Sequence, residues 1–201
     1  EEYLELNGDV PTHGRFIQKS RVLDFLDKGK GGLLLMETTY YPESNPNGPH
    51  VARIIRSSFI RGLGGHGRKK LVNDPRPRSP QIPKRAPDAV VARKTLPTQA
   101  LIYRLSGDYN PLHIDVNIAK MVGFERPILH GLCSFGFAVN ACLRSFPNVR
   151  VKSVRCRFSS PVLPGQELVT SVWKEGAEWL LFEVHVGKKL VLGGGAIQIA
   201  S

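Results

Sequence analysis

Hydrophobic and polar residues alternate along several segments in the second half of the chain, which is the pattern of half-buried β-strands. Val154, Cys156 and Phe158 alternate with polar or charged neighbours. Further strands are predicted at residues 168–173, 179–186 and 189–199. Glycine-containing turns separate the last of these segments. This half of the chain is therefore predicted to contain a meander of strands.

One segment ahead of these strands is strongly apolar and predicts a buried helix. It begins at His130 and runs to about Phe146. The start of such a helix would direct unpaired backbone N–H groups, and the positive end of the helix dipole, at whatever lies beside Gly131. A developing oxyanion would suit that place. The alternative is a core helix whose small residues only permit close packing.

The first half of the chain shows strand patterns but no long helical pattern before residue 98. Residues 16–26 and 33–40 flank the segment from Asp27 to Gly32, which predicts a hairpin. Residues 51–60 are another strand candidate. The two halves of the chain are therefore expected to differ in helix content.

A stretch rich in proline and arginine separates the two halves. Its prolines are Pro75, Pro77, Pro80, Pro83 and Pro87. Such a stretch cannot form regular structure, since proline removes backbone donors and fixes the backbone. We predict an extended crossover or a partly disordered loop at residues 73–88, between an N-terminal half at 1–72 and a C-terminal half at 89–201.

The segment from Gly107 to His113 places a carboxylate, Asp108, and an imidazole five positions apart across a turn. The residue before a proline is pushed toward extended geometry, and asparagine readily bonds its own backbone, so the chain must bend here. In a bend, Asp108 and His113 can converge, and one group can hold a water while the other transfers a proton. A plain surface turn is the alternative for this spacing alone.

Short apolar segments flank this turn and predict two short buried helices. Leu101, Ile102 and Leu105 precede the turn, and residues 114–122 follow it. A polar turn anchored by apolar helices on both sides is expected to line a cleft.

A glycine-rich segment, Gly62 to Gly67, satisfies the Gly-x-Gly-x-x-Gly pattern and follows a plausible strand. A dinucleotide-binding fold would require a helix to begin inside the pattern, whereas prolines follow closely. We therefore predict no dinucleotide site here. The segment is expected to be a loop that flanks a ligand site, or a plain flexible loop.

The cysteines and the hydropathy pattern exclude further classes of protein. Cys133, Cys142 and Cys156 lie in apolar or strand segments, and their spacing fits no metal site, so buried reduced thiols and no metal are predicted. No segment approaches the roughly 18 apolar residues that a membrane span requires, and no signal peptide is visible. No membrane partner is therefore expected.

Three segments of the sequence resemble those of a known protein family. The segment 103–113, Tyr-Arg-Leu-Ser-Gly-Asp-Tyr-Asn-Pro-Leu-His, with Ala119 beyond it, resembles the hydratase 2 motif of (R)-specific enoyl-CoA hydratases, the MaoC-like dehydratases. Residues 127–136 are similar to the start of the family's central helix. Residues 161–166 resemble its link between two strands. The likeness is closest to the eukaryotic hydratase 2 members, which include one part of a peroxisomal multifunctional enzyme.

The resemblance implies an α+β double hot-dog fold, in which an antiparallel sheet wraps around a central helix. Two such units lie in one chain, and the first has lost most of its helix. Residues 1–72 would be the degenerate half, and residues 89–201 the catalytic half. No internal sequence repeat is visible, so the duplication rests on the resemblance. The chain of 201 residues, 41% of them hydrophobic, is large enough for this core.

The resemblance also implies an activity, the reversible hydration of trans-2-enoyl-CoA to (3R)-3-hydroxyacyl-CoA in fatty acid β-oxidation. Asp108 and His113 would be the catalytic pair, and the N–H of Gly131 would form the oxyanion hole. The substrate-binding residues would be Lys28, Gly107, Tyr109, Asn110, Pro111, Leu112 and Phe158. No cofactor or metal is expected, since coenzyme A is part of the substrate. A homodimer in the peroxisome is expected, although no targeting signal is visible.

The charge of the chain agrees with an anionic ligand. The net charge is +11, with 28 Lys and Arg against 17 Asp and Glu. The phosphates of coenzyme A can be met by such a surface. Nucleic acid is not expected, because aromatic residues are sparse and the basic residues are scattered. The alternatives to a hydratase are a hot-dog acyl-CoA thioesterase, or a non-catalytic module that binds acyl-CoA or nucleic acid.

Overall fold

The computed structural model describes residues 1–68 and 74–200. In that part of the chain the strands are β1 (Glu2–Leu6), β2 (Phe16–Asp27), β3 (Gly31–Pro42), β4 (Ala52–Arg61), β5 (Ala89–Lys94), β6 (Arg150–Phe158), β7 (Glu167–Glu175), β8 (Trp179–Val186) and β9 (Lys189–Ala200). The helices are α1 (Gln99–Arg104), α2 (Val116–Met121) and α3 (Gly131–Ser145), and a 3₁₀ turn spans Pro111–His113.

The chain divides into two compact units. Unit 1 comprises residues 1–79, 150–155 and 197–200, and unit 2 comprises residues 80–149 and 156–196. The strands β6 and β9 therefore contribute residues to both units.

Unit 1 is a sheet with the strand order β2-β3-β4-β1-β6. The pairs β2/β3, β3/β4 and β1/β4 are antiparallel. The predicted hairpin is confirmed, because β2 and β3 pair on either side of a short turn that follows Asp27. No helix occurs among the described residues of this unit, as expected for a hot-dog unit that has lost its helix.

The strand β1 was not predicted from the sequence. In this strand the polarity of a residue does not indicate whether it is buried. Glu2 is buried, and its carboxylate accepts hydrogen bonds from the guanidinium of Arg56 at 2.9 and 3.0 Å. Tyr3 on the opposite side is fully buried and stands beside Ile55 of β4 in the register. Glu2 is thus buried although its partner Arg56 is 55% exposed, and a buried acidic residue hides the strand pattern.

Unit 2 is built around the long helix α3. The strand order is β6-β9-β8-β7-β5, and α3 packs against β5, β7 and β8. Small residues on the buried side of the helix, Ala138, Ala141 and Cys142, allow this approach. The predicted helix and the strands β7 to β9 are confirmed. Unit 2 therefore has the expected hot-dog architecture of a sheet packed on one helix.

The strand β5 also escaped prediction, because it is short and lies directly after the proline-rich segment. Its side chains are mostly exposed, and it pairs only with β7 in the sheet order. An edge strand of this kind needs no alternating pattern, since neither face is covered for its whole length.

The expected burial of the two short helices is wrong. Leu101, Ile102 and Leu105 are exposed, Leu105 by 81%, and α1 buries only Ala100. Helix α2 begins at Val116 rather than at 114, because the carboxylate of Asp115 caps it by accepting the N–H groups of residues 117 and 118. A six-residue helix has too little length to bury more than one side, so an apolar sequence does not ensure burial.

The predicted crossover is irregular where it is described. Residues 74–88 form neither helix nor strand, and residue 73 lies outside the described residues. The segment is held in place by Arg85, whose guanidinium contacts Asp88 and Glu175 and whose carbonyl accepts the indole N–H of Trp173 at 3.0 Å. Among the described residues no helix is long and apolar enough to cross a membrane.

Candidate active site

The turn that carries Asp108 is built from a short ladder of side-chain to backbone hydrogen bonds. The carboxylate of Asp108 accepts the N–H of Asn110 at 3.2 Å, and the amide oxygen of Asn110 accepts the N–H of Leu112 at 3.0 Å. Pro111 opens the 3₁₀ turn, and Gly107 adopts a φ of +106° where the chain leaves α1. The predicted bend is confirmed, and Asn110 has a structural role in it.

The start of α3 is the second element of the site. His130 is the N-cap residue, and the preceding residue is anchored because the N–H of Leu129 donates to the carbonyl of Val162 at 2.7 Å. Gly131 is the first helical residue, so its N–H lacks a partner within the helix. A Cβ at Gly131 would lie 3.1 Å from the ring of Phe158. Glycine therefore allows the ring of Phe158 to pack closely against the start of the helix.

The turn and the helix start meet around two stacked histidines. The rings of His113 and His130 are 3.7 Å apart between centroids, with an interplanar angle of 28°. One ligand atom from each of Asp108, His113 and His130 lies within 4.8 Å of the others. Both histidines are buried, whereas Asp108 is exposed. The sequence thus predicted the pair Asp108 and His113 correctly as neighbours in space.

The hydrogen bonds of the two histidines determine their tautomers. Nδ1 of His113 lies 2.8 Å from the carbonyl oxygen of Ile128, and Nε2 of His130 lies 3.2 Å from the carbonyl oxygen of Asp108. A carbonyl oxygen can only accept, so each of these nitrogens carries the proton. In the neutral rings, Nε2 of His113 and Nδ1 of His130 therefore keep free lone pairs.

His130 is held in its neutral form. Burial, and secondarily the neighbouring His113, lower the pKa of His130 from its ordinary value of 6.5. A neutral His130 avoids placing a second positive charge beside the ring that would accept a proton during a reaction. Its lone pair on Nδ1 has no hydrogen-bond partner in the described part of the chain. The sequence analysis had identified His130 only as the start of the predicted helix.

A cavity of about 270 Å³ opens beside the helix start. His113, Gly131 and Ser134 supply polar groups to its wall. Ser159 and Ser160 are further polar residues of the lining, and its apolar part is Phe124, Ile128, Leu129, Phe158, Pro161, Val162 and Leu192. A cavity with one apolar wall and a few converging polar groups is the usual form of a site for a small organic ligand.

The chemistry available at this cavity is proton transfer beside a positioned N–H donor. His113 and Gly131 line the cavity, and Asp108, which is not part of its lining, lies next to His113. The imidazole of His113 can accept a proton, the carboxylate of Asp108 can exchange one, and the N–H of Gly131 can bind an oxygen that becomes negative. The three ligand atoms within 4.8 Å could also approach a divalent metal ion. The expectation that the site uses no metal stays a prediction.

The remaining predicted residues lie in three places: the turn after α1, the border of the cavity, and unit 1. Tyr109 and Leu112 are exposed on the turn, and the Arg104 guanidinium lies 4.9 Å above the Tyr109 ring. Phe158 is partly exposed and borders the cavity beside Gly131. Lys28 belongs to unit 1, where it is exposed on the turn between β2 and β3. Its predicted contact with substrate stays a prediction.

The glycine-rich loop of unit 1 is organised around a carboxylate of the protein itself. The side chain of Asp27 accepts the N–H groups of Gly29, Gly65 and Gly67 at 2.7, 3.0 and 2.7 Å. These hydrogen bonds lower the pKa of Asp27 to about 2. The loop is thus tied to the turn that carries Lys28. Two N–H groups of the glycine-rich segment, those of Gly65 and Gly67, are therefore already bound by a carboxylate of the protein.

The cysteines are buried free thiols, as predicted. Burial raises the pKa of Cys133 to about 11 and that of Cys142 to about 12. Both thiols therefore stay protonated at neutral pH and are poor nucleophiles.

Comparison with known proteins agrees with this geometry. Residues 78–192 match the model of the MaoC like domain, and residues 1–62 match that of the MFE-2 hydratase 2 N-terminal domain. The chain is 42% identical over 206 residues to the "Probable enoyl-CoA hydratase 2" of Dictyostelium discoideum, covering 99% of this chain and 68% of that protein. It is 42% identical over 202 residues to the "Peroxisomal multifunctional enzyme type 2" of Drosophila melanogaster, covering 96% and 33%.

A solved structure shows the same fold. The MaoC-like dehydratase from Phytophthora capsici superposes with a TM-score of 0.89 at 42% identity, over 100% of this chain and 70% of that one. The chain spans 33% of the length of the Drosophila melanogaster protein and 22% of that of the "Peroxisomal hydratase-dehydrogenase-epimerase" of Neurospora crassa. It spans 68% of the length of the Dictyostelium discoideum protein. Both the family models and the relatives confirm the resemblance seen in the sequence. The chain belongs to the MaoC-like family, within its hydratase 2 branch.

Proposed function

We propose that the chain catalyses the reversible hydration of a trans-2-enoyl-CoA to the (3R)-3-hydroxyacyl-CoA. The observation that carries this proposal is the convergence of Asp108, His113 and His130 within 4.8 Å, at a place where His113 and Gly131 line a cavity. Relatives named enoyl-CoA hydratase 2 support the same reaction.

The catalytic pair would act on one water molecule. His113 and Asp108 hold the water, and Nε2 of His113 takes a proton from it as its oxygen bonds to C3. Asp108, which begins the hydration cycle in its carboxylic acid form, supplies its proton to C2 and becomes a carboxylate. Transfer of the proton from the imidazolium of His113 to the carboxylate of Asp108 then restores both groups. The hydrogen bond from Nδ1 of His113 to Ile128 keeps the basic nitrogen turned toward the site.

The thioester oxygen gains negative charge between these two steps. The N–H of Gly131 would stabilise this enolate oxygen, assisted by the dipole of the 15-residue helix α3. One donor of this kind contributes roughly 3 kcal/mol to a transition state. The apolar cavity wall, including Phe158, would hold the acyl part of the substrate and exclude bulk water.

The substrate is expected to be a coenzyme A thioester. Lys28 would meet one of its phosphates, and the excess of basic residues in the chain favours such an anion. Two relatives have names that place them in peroxisomes, so we propose that location for this chain. We propose fatty acid β-oxidation as the pathway, because it contains the hydration of enoyl-CoA. We also propose that the protein forms a homodimer and that the reaction requires no cofactor or metal. We propose that the chain consists of a degenerate half (1–72), a crossover (73–88) and a catalytic half (89–201).

The proposal is tested by incubating the purified chain with trans-2-decenoyl-CoA and following the loss of enoyl absorbance. The product is passed in parallel to an (R)-specific and an (S)-specific 3-hydroxyacyl-CoA dehydrogenase. Oxidation by the (R)-specific enzyme alone is expected. No loss of absorbance with short, medium and long enoyl-CoA substrates contradicts the proposal. Release of free thiol from saturated acyl-CoA would indicate a thioesterase instead.

A further inference from the structure

Ser134 is a buried polar residue in the first turn of α3 that the proposed mechanism does not use. Its side chain is 2% exposed and lines the cavity together with His113 and Gly131. Its Oγ has no hydrogen-bond partner among residues 1–68 and 74–200. Burying a hydroxyl without a partner is unfavourable, so such a group in a cavity wall points to a ligand.

Two other buried hydroxyl groups in the described part of the chain have hydrogen-bond partners in the protein. Oγ1 of Thr95 donates to the carbonyl of Gln166 at 2.8 Å and accepts the N–H of Gly165 at 3.0 Å. Oγ of Ser57 accepts from the guanidinium of Arg76 at 3.3 Å. Ser134 at the cavity differs from these two residues, because its hydroxyl has no partner within the described residues.

The geometry of a helix aims Ser134 at the same place as the N–H of Gly131. Ser134 lies three residues after Gly131, and side chains in a helix lean toward its N-terminus. Gly131 has no side chain that could intervene. The hydroxyl and the N–H thus face one space in the cavity, the space in which the thioester oxygen is expected.

A thioester oxygen has two lone pairs and can accept two hydrogen bonds. The N–H of Gly131 satisfies one of them. We propose that the hydroxyl of Ser134 donates the second hydrogen bond, so that the oxyanion hole for the α,β-unsaturated thioester consists of one backbone donor and one side-chain donor. This inference rests on the proposed hydratase activity, and it adds a catalytic residue to it.

The test compares Ser134→Ala with the wild-type chain and with Cys133→Ala. Cys133 is the matched control, because it is the adjacent buried residue of the same helical turn and does not line the cavity. Removing one oxyanion donor typically lowers kcat by a factor on the order of 10² to 10³. We expect a loss on the order of 10² for Ser134→Ala, with the KM changed far less, and near wild-type turnover for Cys133→Ala.

A spectroscopic measurement separates stabilisation of charge from a structural effect. A bound 3-ketoacyl-CoA can ionise to its enolate, whose near-ultraviolet absorbance reports the fraction ionised at each pH. If Ser134 donates to the enolate oxygen, Ser134→Ala raises the apparent pKa of the bound ligand by about one to two units, equivalent to a 10- to 100-fold loss of enolate stabilisation. Ser134→Thr, which keeps the hydroxyl, restores part of this shift.

The outcomes distinguish this inference from the proposed function. An inactive wild-type chain contradicts the hydratase proposal. An active wild-type chain, with Ser134→Ala within about threefold of its kcat and an unchanged enolate pKa, overturns the role of Ser134 alone. A loss of activity without a change in the enolate pKa overturns it as well, since the loss is then structural.

Discussion

The replacement of Asp108 by asparagine isolates the chemistry of the catalytic pair from the structure of the turn. The carboxylate accepts the N–H of Asn110 at 3.2 Å, and an asparagine side-chain oxygen can accept the same hydrogen bond. His130 contacts the backbone carbonyl of Asp108 rather than its side chain. The side chain is exposed, so its replacement leaves no cavity. The fold should therefore be retained.

Asp108→Asn should lower the activity strongly, although it should leave the fold intact. An amide cannot supply the proton that C2 requires, and a positioned acid or base contributes roughly 10²- to 10⁴-fold to a rate. This range corresponds to about 3 to 5 kcal/mol of transition-state stabilisation. We expect kcat for trans-2-decenoyl-CoA to fall by at least 10²-fold. His113→Ala should cost a similar factor, and the double variant little more than either alone, because the two groups act as a unit.

The assay follows the loss of enoyl absorbance, with thermal unfolding measured in parallel. Asp115→Asn is the matched control, since it changes the same atoms seven positions along the chain, where the carboxylate only caps α2 and asparagine caps equally well. Its turnover should equal that of the wild type. Asp108→Asn with kcat within about threefold of the wild type, or additive losses in the double variant, would refute the assignment of the pair.

Three further predictions concern other parts of the molecule. Lys28→Ala should raise the KM for enoyl-CoA several-fold. It should leave the KM for the enoyl-pantetheine thioester unchanged, because that substrate lacks the phosphates. Lys30→Ala on the same turn should change neither KM. Because the pKa of His130 is lowered from 6.5, the unfolded chain binds this proton at a higher pH than the folded chain. Stability is therefore present above about pH 6.5 and is lost as the pH falls toward the lowered pKa, and His130→Gln should flatten that decline in a series of Tm measurements. A Cβ at Gly195 would meet the buried ring of Phe182, so Gly195→Ala should lower the free energy of unfolding in urea by about 1 to 3 kcal/mol; an unchanged midpoint would contradict this packing argument.

The sequence by itself determined the elements whose signal is local and periodic. The helix from Gly131 and the strands β6 and β7 follow from hydrophobic periodicity, and β8 and β9 follow from apolar segments between glycine-containing turns. The hairpin at Asp27 follows from glycine and charge between two apolar segments. The bend at Asp108 follows from asparagine and proline, whose preferences act over two or three residues. The family was identifiable at the same level, since its motif is one continuous segment.

Only the tertiary structure decided which faces are buried and which groups meet. Strand β1 is hidden in the sequence because Glu2 is buried through an ion pair with Arg56, 54 residues away. Leu105, directly after the six-residue helix α1, is exposed although it is apolar. Which side of so short a helix is buried depends on the elements that pack against it, and the local sequence does not specify them.

The site shows the same division. The pair Asp108 and His113 is a local feature and was predicted. The stacking of His113 on His130, the tautomers set by the carbonyls of Ile128 and Asp108, and the unpaired hydroxyl of Ser134 all depend on contacts between segments far apart in the chain. In unit 1, the glycine pattern alone could not show that Asp27 binds its N–H groups. Local preferences shape a segment, but only packing brings segments together, and the direction of a hydrogen bond is set by the partner that packing supplies.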